Sequence, residues 1–160
     1  MAAAARVAAR LPDARFALAG RGLEPGAEAP LRAAAAAGLP PERLSLRGEI
    51  EDMNDFYREI DVLVLSSRTE GFPNVVAEAM GQGRPVVTTN VGAAAEIVGD
   101  TGVIAPPRDP EALAAGMLEM AALSPQAWAA RAMAAHRRVT ARYPLESAAE
   151  RFRAFVETGE

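Results

Sequence analysis

The chain has 160 residues, of which 50% are apolar and 24% charged, so it is long enough for one compact domain with a core and too short for two ordinary ones. A formal net charge of −4 argues against a phosphate-neutralising grip on nucleic acid. With no cysteine and a single histidine, His136, the sequence excludes a disulfide framework, a thiolate metal site, a thiol nucleophile and a histidine-rich metal centre.

The opening stretch, Met1 to Leu11, is alanine-rich but broken by Arg6 and Arg10, which makes it a poor signal-peptide core and predicts an amphipathic helix over Ala2 to Arg10. No uncharged apolar run of about 18 residues occurs anywhere, and a cytoplasmic protein is the expectation. A strand is predicted at Phe16 to Ala19. The Gly20-Arg21-Gly22 turn that follows would begin a dinucleotide fingerprint, but Pro25 stands where its third glycine belongs. A helix over Ala27 to Ala37 is stopped by Gly38 and by Pro40 and Pro41, which cannot continue it.

Strands at Leu44 to Arg47, Asp61 to Leu65, Pro85 to Thr89 and Gly102 to Ala105 then alternate with helices at Met53 to Glu59, Asn74 to Gln82 and Ala93 to Val98. Three helices close the chain. Asp109 before Pro110 and Glu111 opens one over Pro110 to Leu123, Ser124 before Pro125 opens another to Arg142, and a third covers Leu145 to Glu157. Alternation of this kind predicts an α/β fold in three layers, a parallel sheet between helices, in one domain over residues 1–160.

The segment DVLVLSSRTEGFPNVVAEAMGQGRPVVTTN, from Asp61 to Asn90, concentrates the chemistry. Ligands of open α/β sheets bind beyond the carboxyl ends of the strands, which is where the loop Ser66 to Pro73 falls. The amides that begin the next helix, around Asn74 to Val76, would face an anion. Gly71 would let backbone approach a ligand closely. Glu70 on the loop and Glu78 one turn inside the helix are two carboxylates able to bracket a small polyol, although a solvated or dipole-favouring role is open for both.

The ordered set Glu70, Glu78, Gly83, Pro85, Val86 and Val87 resembles the retaining GT-B glycosyltransferases of the glycosyl transferases group 1 family, whose mark is two glutamates separated by seven residues and followed by a glycine, proline and valine strand. Ala17-Leu18-Ala19-Gly20, Leu46-Arg47-Gly48, Glu96-Ile97-Val98, and Thr101 to Ile104 with Asp109 extend the resemblance over nearly the whole chain. It implies the nucleotide-sugar-binding C-terminal half of a Rossmann-like GT-B fold, with no cofactor and no metal.

By the resemblance, Glu78 accepts the ribose hydroxyls of a nucleotide-diphosphate sugar and Glu70, the catalytic candidate, orients the transferred sugar. Gly71, Phe72, Pro73, Asn74 and Val75 offer backbone near sugar and diphosphate, Arg47, Gly48 and Glu49 border the base, and Gly20 forms the family's glycine turn, while Arg21 departs from the family's more usual acidic or small residue and is a candidate phosphate contact or a solvated side chain. The implied partners are the nucleotide sugar and an acceptor-binding N-terminal domain, with self-association and peripheral membrane contact as further expectations.

The family's first strand, with an arginine and a lysine that clamp the diphosphate, has no counterpart, and the chain contains no lysine. The expectation is a five-stranded parallel sheet lacking its central strand, the gap closed by direct pairing of the Phe16 and Asp61 strands or by an element of another copy. A nucleotide-sugar 2-epimerase fragment and a non-catalytic binding module remain as alternatives. Elsewhere, His136 reads as a surface residue, Trp128 as a packing residue, Phe152 and Phe155 as a docking face, and Arg131, Arg137, Arg138 and Arg142 as a solvated face.

Overall fold

The computed structural model describes residues 1–143, so the helix expected at 145–157 and the Phe152/Phe155 face lie outside the described residues. Within them the predicted alternation is present. The order is α1 (Ala2–Arg10), β1 (Phe16–Ala19), α2 (Glu28–Ala36), β2 (Leu44–Gly48), α3 (Met53–Glu59), β3 (Leu63–Leu65), α4 (Asn74–Gly81), β4 (Val86–Thr89), α5 (Ala94–Val98), β5 (Val103–Ala105), α6 (Pro110–Ala121) and α7 (Pro125–Arg142).

Local chemistry sets the ends of these elements. Asp109 accepts from the amides of Glu111 and Ala112 at the start of α6, with Pro110 spending no donor there. Ser124 Oγ accepts from Ala127 N at the start of α7, and Asp52 caps α3 through Asn54 N. Just past the end of α4, the amide of Gly83 donates to Met80 O, and the φ of +69° at Gly83 turns the amide of Arg84 back to Ala79 O. A left-handed residue at that point turns the chain straight into β4.

All five strands run parallel, but in two ladders: β1 with β2, and β3–β4–β5. The expected direct pairing of the Phe16 strand with the strand after Asp61 is not made. Those strands share side-chain clusters instead. Phe16 joins Val62 and Val64 under α1 and α6, while Ala17 and Ala19 join Leu63 beside α3 and Ala79 of α4. Side-chain packing rather than a backbone ladder therefore joins the two pieces of sheet.

The period-two alternation of β3 and β4 builds the layers. Val62, Val64 and Val87 point to the face covered by α1 and α6, where Ala3, Val7, Leu113, Ala114 and Met120 are buried. Leu63, Leu65 and Val86 point to the opposite face, covered by Val76 and Met80 of α4, Ile97 and Val98 of α5, and Ala135 and Val139 of α7.

Helix α7 corrects one expectation. Arg138 is not part of a solvated face: its guanidinium donates to Ile97 O at 2.9 Å and Glu96 O at 2.8 Å, satisfying carbonyls at the end of α5, and Arg142 pairs with Glu96 at 2.6 Å. Arg137 remains exposed. Trp128 is half-buried with the Arg84 guanidinium 5.9 Å from its ring centre, and His136 is exposed with Nδ1 2.7 Å from Gly81 O.

Candidate functional site

The carboxyl ends of the parallel strands carry nearly every candidate residue. After β3 the chain leaves the sheet at Ser66, and its course is set from β4: the buried Thr89 hydroxyl donates to Ser67 O at 2.7 Å. Ser67 Oγ in turn donates to Glu70 Oε1 at 2.6 Å. The next turn is pinned from behind, where Ala93 N donates to Gly71 O at 2.9 Å. Gly92 makes that approach feasible. Its φ is +50°, and a Cβ there would collide with the carbonyl oxygens of Glu70 and Gly71. By contrast, a Cβ at Gly71 would meet nothing within 4 Å, so the loop has an open outer face.

Helix α4 begins at Asn74 with Pro73 as N-cap and no side-chain cap. Three free amides were expected at Asn74 to Val76. The amide of Val76 is instead taken by Pro73 O at 3.0 Å, because the first turn is tight, and those of Asn74 and Val75 have no partner among the described residues. Pro73 is buried, and Phe72 is 47% exposed with its ring edge-on to Tyr143, centroids 5.5 Å apart.

One turn into α4, Glu78 is exposed, and its Oε2 accepts from Tyr57 Oη of α3 at 2.7 Å. Tyr57 is 1% exposed, packed with Phe56 and Ala79. Burial first, then the hydrogen bond to Glu78 and its charge, push the phenol well above its usual range, so it remains a donor. The two glutamates therefore share a pattern: each is exposed, each has one carboxylate oxygen held by a neutral hydroxyl, and neither is ion-paired among the described residues. The two carboxylates are held by separate hydroxyls on different elements.

At the ends of β1 and β2 the two turns interlock. Gly20 N donates to Gly48 O and Gly48 N to Leu23 O, both at 2.7 Å. Arg21 and Glu49 form an exposed pair at 3.2 Å. Arg47, expected beside them, is engaged with Glu59 at the end of α3 at 2.5 Å, since the strand's alternation sends it to a different neighbour. The structure thus brings together Gly20, Arg21, Gly48 and Glu49, and separately Glu70 to Val75, with Glu78 on the following helix turn.

A cleft of about 640 Å³ opens at the carboxyl ends of β3, β4 and β5, where Ser66, Arg68, Thr89, Arg108 and Asp109 contribute to its walls. Among the described residues no group of three or more His, Asp or Glu side chains converges to hold a metal, and no helix is long and apolar enough to cross a membrane.

Tyr57, Ser67, Thr89 and Gly92 are the site residues that sequence reasoning missed. Gly92 and Ser67 left local traces, one as a glycine just past a predicted strand and the other as a hydroxyl three residues before Glu70 in the same loop. Tyr57 and Thr89 act through hydrogen bonds made across elements, which spacing does not encode.

Comparison with known proteins fits this geometry. Residues 1–122 match the family described as glycosyl transferases group 1. The lipopolysaccharide core biosynthesis mannosyltransferase LpcC of Rhizobium leguminosarum is 40% identical over 80 residues, 49% of this chain and 22% of that protein. The O-antigen chain mannosyltransferase B of Escherichia coli is 41% identical over 69 residues, 43% of this chain and 18% of that protein. The chain thus spans only 22% and 18% of these curated relatives' lengths.

Among solved structures, sucrose-phosphate synthase of Thermosynechococcus elongatus superposes with a TM-score of 0.83 at 25% identity, covering 98% of this chain and 41% of that one. The C-terminal domain of a glycosyl transferase group 1 family protein, LpcC, of Francisella tularensis gives 0.73 at 27%, covering 90% and 77%. Anabaena HepE in complex with UDP-glucose gives 0.84 at 22%, covering 98% and 44%, a likeness of fold. By the extent of the family match, joined to these superpositions, the chain belongs to the glycosyl transferases group 1 family.

Proposed function

We propose that these residues form the donor half of a glycosyltransferase, binding a nucleotide-diphosphate sugar whose sugar passes to an acceptor with retention of anomeric configuration. The observation that carries this reading is the pair of hydroxyl-tethered, otherwise open carboxylates at Glu70 and Glu78 beside the uncapped amides of Asn74 and Val75. A carboxylate accepts only, and its open oxygen suits a hydroxyl that donates only in that direction. Glu78 then takes the ribose hydroxyls, and Glu70 orients the transferred sugar. The leaving group is the nucleoside diphosphate, whose terminal phosphate gathers negative charge in the transition state as the bond to the anomeric carbon breaks, and there preorganised N–H donors and a helix N-terminus lower the barrier.

The turns Gly20-Arg21 and Gly48-Glu49 border the base in this reading. Arg47, spent on Glu59, contributes through that pair rather than by direct contact. The solved HepE complex, in which that protein binds UDP-glucose, supports a nucleotide-sugar donor on this fold. Relatives named for lipopolysaccharide core and O-antigen chain synthesis support a growing surface polysaccharide as acceptor. Residues that hold the acceptor come from a further domain.

Calorimetric titration of the 160-residue chain with UDP, GDP and their sugar conjugates, run beside a turnover assay, tests the proposal. Binding of a nucleoside diphosphate without turnover is the expected result. Turnover at enzyme-like rates, about 1 per second or more, would remove the need for a further domain, and absence of binding to every probe would refute the donor site.

A further inference from the structure

The geometry points to Tyr57 as the positioning residue for Glu78, holding one carboxylate oxygen so that the other faces the ribose hydroxyls of the donor. This rests on the reading of Glu78 given above. Glutamate in the exposed middle of a helix has three freely rotating side-chain bonds, and ordering it on a ligand costs rotamer entropy. Here that cost is met before the ligand arrives, because the hydroxyl of a tyrosine with 1% exposure donates to Glu78 Oε2 at 2.7 Å. The ring cannot follow Glu78 into solvent, since it is packed with Phe56, edge-on at 6.3 Å, and with Ala79.

The identity of the tether matters. An arginine or lysine in the same place would neutralise the carboxylate and compete for its second oxygen with further N–H donors. A phenol offers one proton and no charge, and its raised pKa keeps that proton in place over the working range. Among the described residues Oε1 has no hydrogen-bond partner, and the second lone pair of Oε2 is free. Ser67 holds Glu70 in the same way, through one hydroxyl and one oxygen.

A purely structural role, docking α3 on α4, is the competing account. That junction does not depend on the Tyr57 hydroxyl alone. Gln82 Nε2 also donates to Asn54 Oδ1 at 2.7 Å, and Phe56 and Ala79 pack in the same cluster. Tyr57→Phe removes a single oxygen and leaves the ring contacts, so the folded chain is expected to persist, with thermal melting as the check.

The experiment is a calorimetric titration of the full chain, comparing wild type, Tyr57→Phe, Glu78→Gln and the double variant. The probes are UDP and GDP and, for whichever binds, its 2′,3′-dideoxy analogue. Tyr57→Phe is expected to weaken nucleoside diphosphate binding about 3- to 10-fold, the cost of ordering an untethered glutamate side chain on the ligand. That loss should vanish with the dideoxy probe and in the Glu78→Gln background. Glu78→Asp, which keeps the charge but draws it back from the phenol, serves as the second variant and should also bind more weakly.

Wild-type affinity in Tyr57→Phe with a weakened Glu78→Gln overturns the positioning role and leaves the donor site standing. A Tyr57→Phe loss that persists with the dideoxy probe, or adds fully to that of Glu78→Gln, assigns the bond to helix docking and also overturns it. Undiminished binding by Glu78→Gln and Glu78→Asp, or no binding by wild type, removes the reading of Glu78 and this inference with it.

Discussion

Two stretches of the sheet's carboxyl edge are built from the same residue types and end in opposite electrostatic states. At the ends of β1 and β2, charge meets charge: Arg21 with Glu49, and Arg47 with Glu59. Beyond β3 and β4, the carboxylates of Glu70 and Glu78 meet, among the described residues, neutral hydroxyls from Ser67 and Tyr57. An ion pair spends a carboxylate, whereas a single hydroxyl fixes its direction and leaves acceptor capacity free. The second arrangement leaves more acceptor capacity for the donor hydroxyls of the proposed ligand. Its supporting parts, Tyr57, Thr89 and Pro73, are buried, whereas the Arg21–Glu49 pair stands in solvent with side chains 89% and 65% exposed.

The sharpest way to break this contrast is Gly92→Ala. The added methyl would strike the carbonyls of Glu70 and Gly71 at a backbone position of positive φ, and a loss of about 2–4 kcal/mol in folding stability is expected from overpacking plus strain. Urea denaturation measures it. Gly83→Ala is the control, with a positive φ but nothing near its Cβ, and should lose about 1 kcal/mol.

Glu78→Ala should leave the denaturation midpoint close to that of wild type and weaken nucleoside diphosphate binding by about 1.5–3 kcal/mol, the range for hydrogen bonds to a charged group. Equal affinities in calorimetry would take Glu78 out of the site.

Raising the pH probes the same tether through folding. The phenol of Tyr57 is held above its ordinary pKa of about 10, so the folded state keeps the proton that the unfolded chain releases. Its contribution to stability is complete below about pH 10 and is lost as the pH climbs towards the folded-state value. Wild type should therefore lose stability between pH 10 and 11, on the order of one pH unit above the free phenol, more steeply than Tyr57→Phe does. Identical slopes in denaturant midpoints across that interval would contradict the assignment.

The smallest effect is expected at the other stretch. Arg21→Ala removes a fully solvated pair and should change stability by less than about 0.5 kcal/mol. A larger change, or a large loss of nucleotide binding, would show that this edge does more than border the site.

Most of the architecture was legible in residue order. The alternation of β-branched runs with alanine-rich helices gave the parallel strands, and Asp109, Ser124 and Gly38 marked helix ends that the structure retains. Capping, turns and period-two burial are governed by residues next to one another in the chain, so sequence alone determines them. It also supplied the Glu70 and Glu78 motif on its loop and helix.

Tertiary structure decided how those carboxylates are held and which charges are spent. Whether Arg47 meets Glu59, Arg138 the end of α5, or Tyr57 Glu78 depends on neighbours 12 to 41 residues away. A gap between the Phe16 and Asp61 strands was expected from the sequence, but that side chains rather than a backbone pair bridge it was decided at the same level, in clusters that bring Phe16 to Val64 and Ala17 to Leu63. Hydrogen bonds and ion pairs between distant segments form only where packing has already set the distance, and packing belongs to the whole fold rather than to any window of sequence.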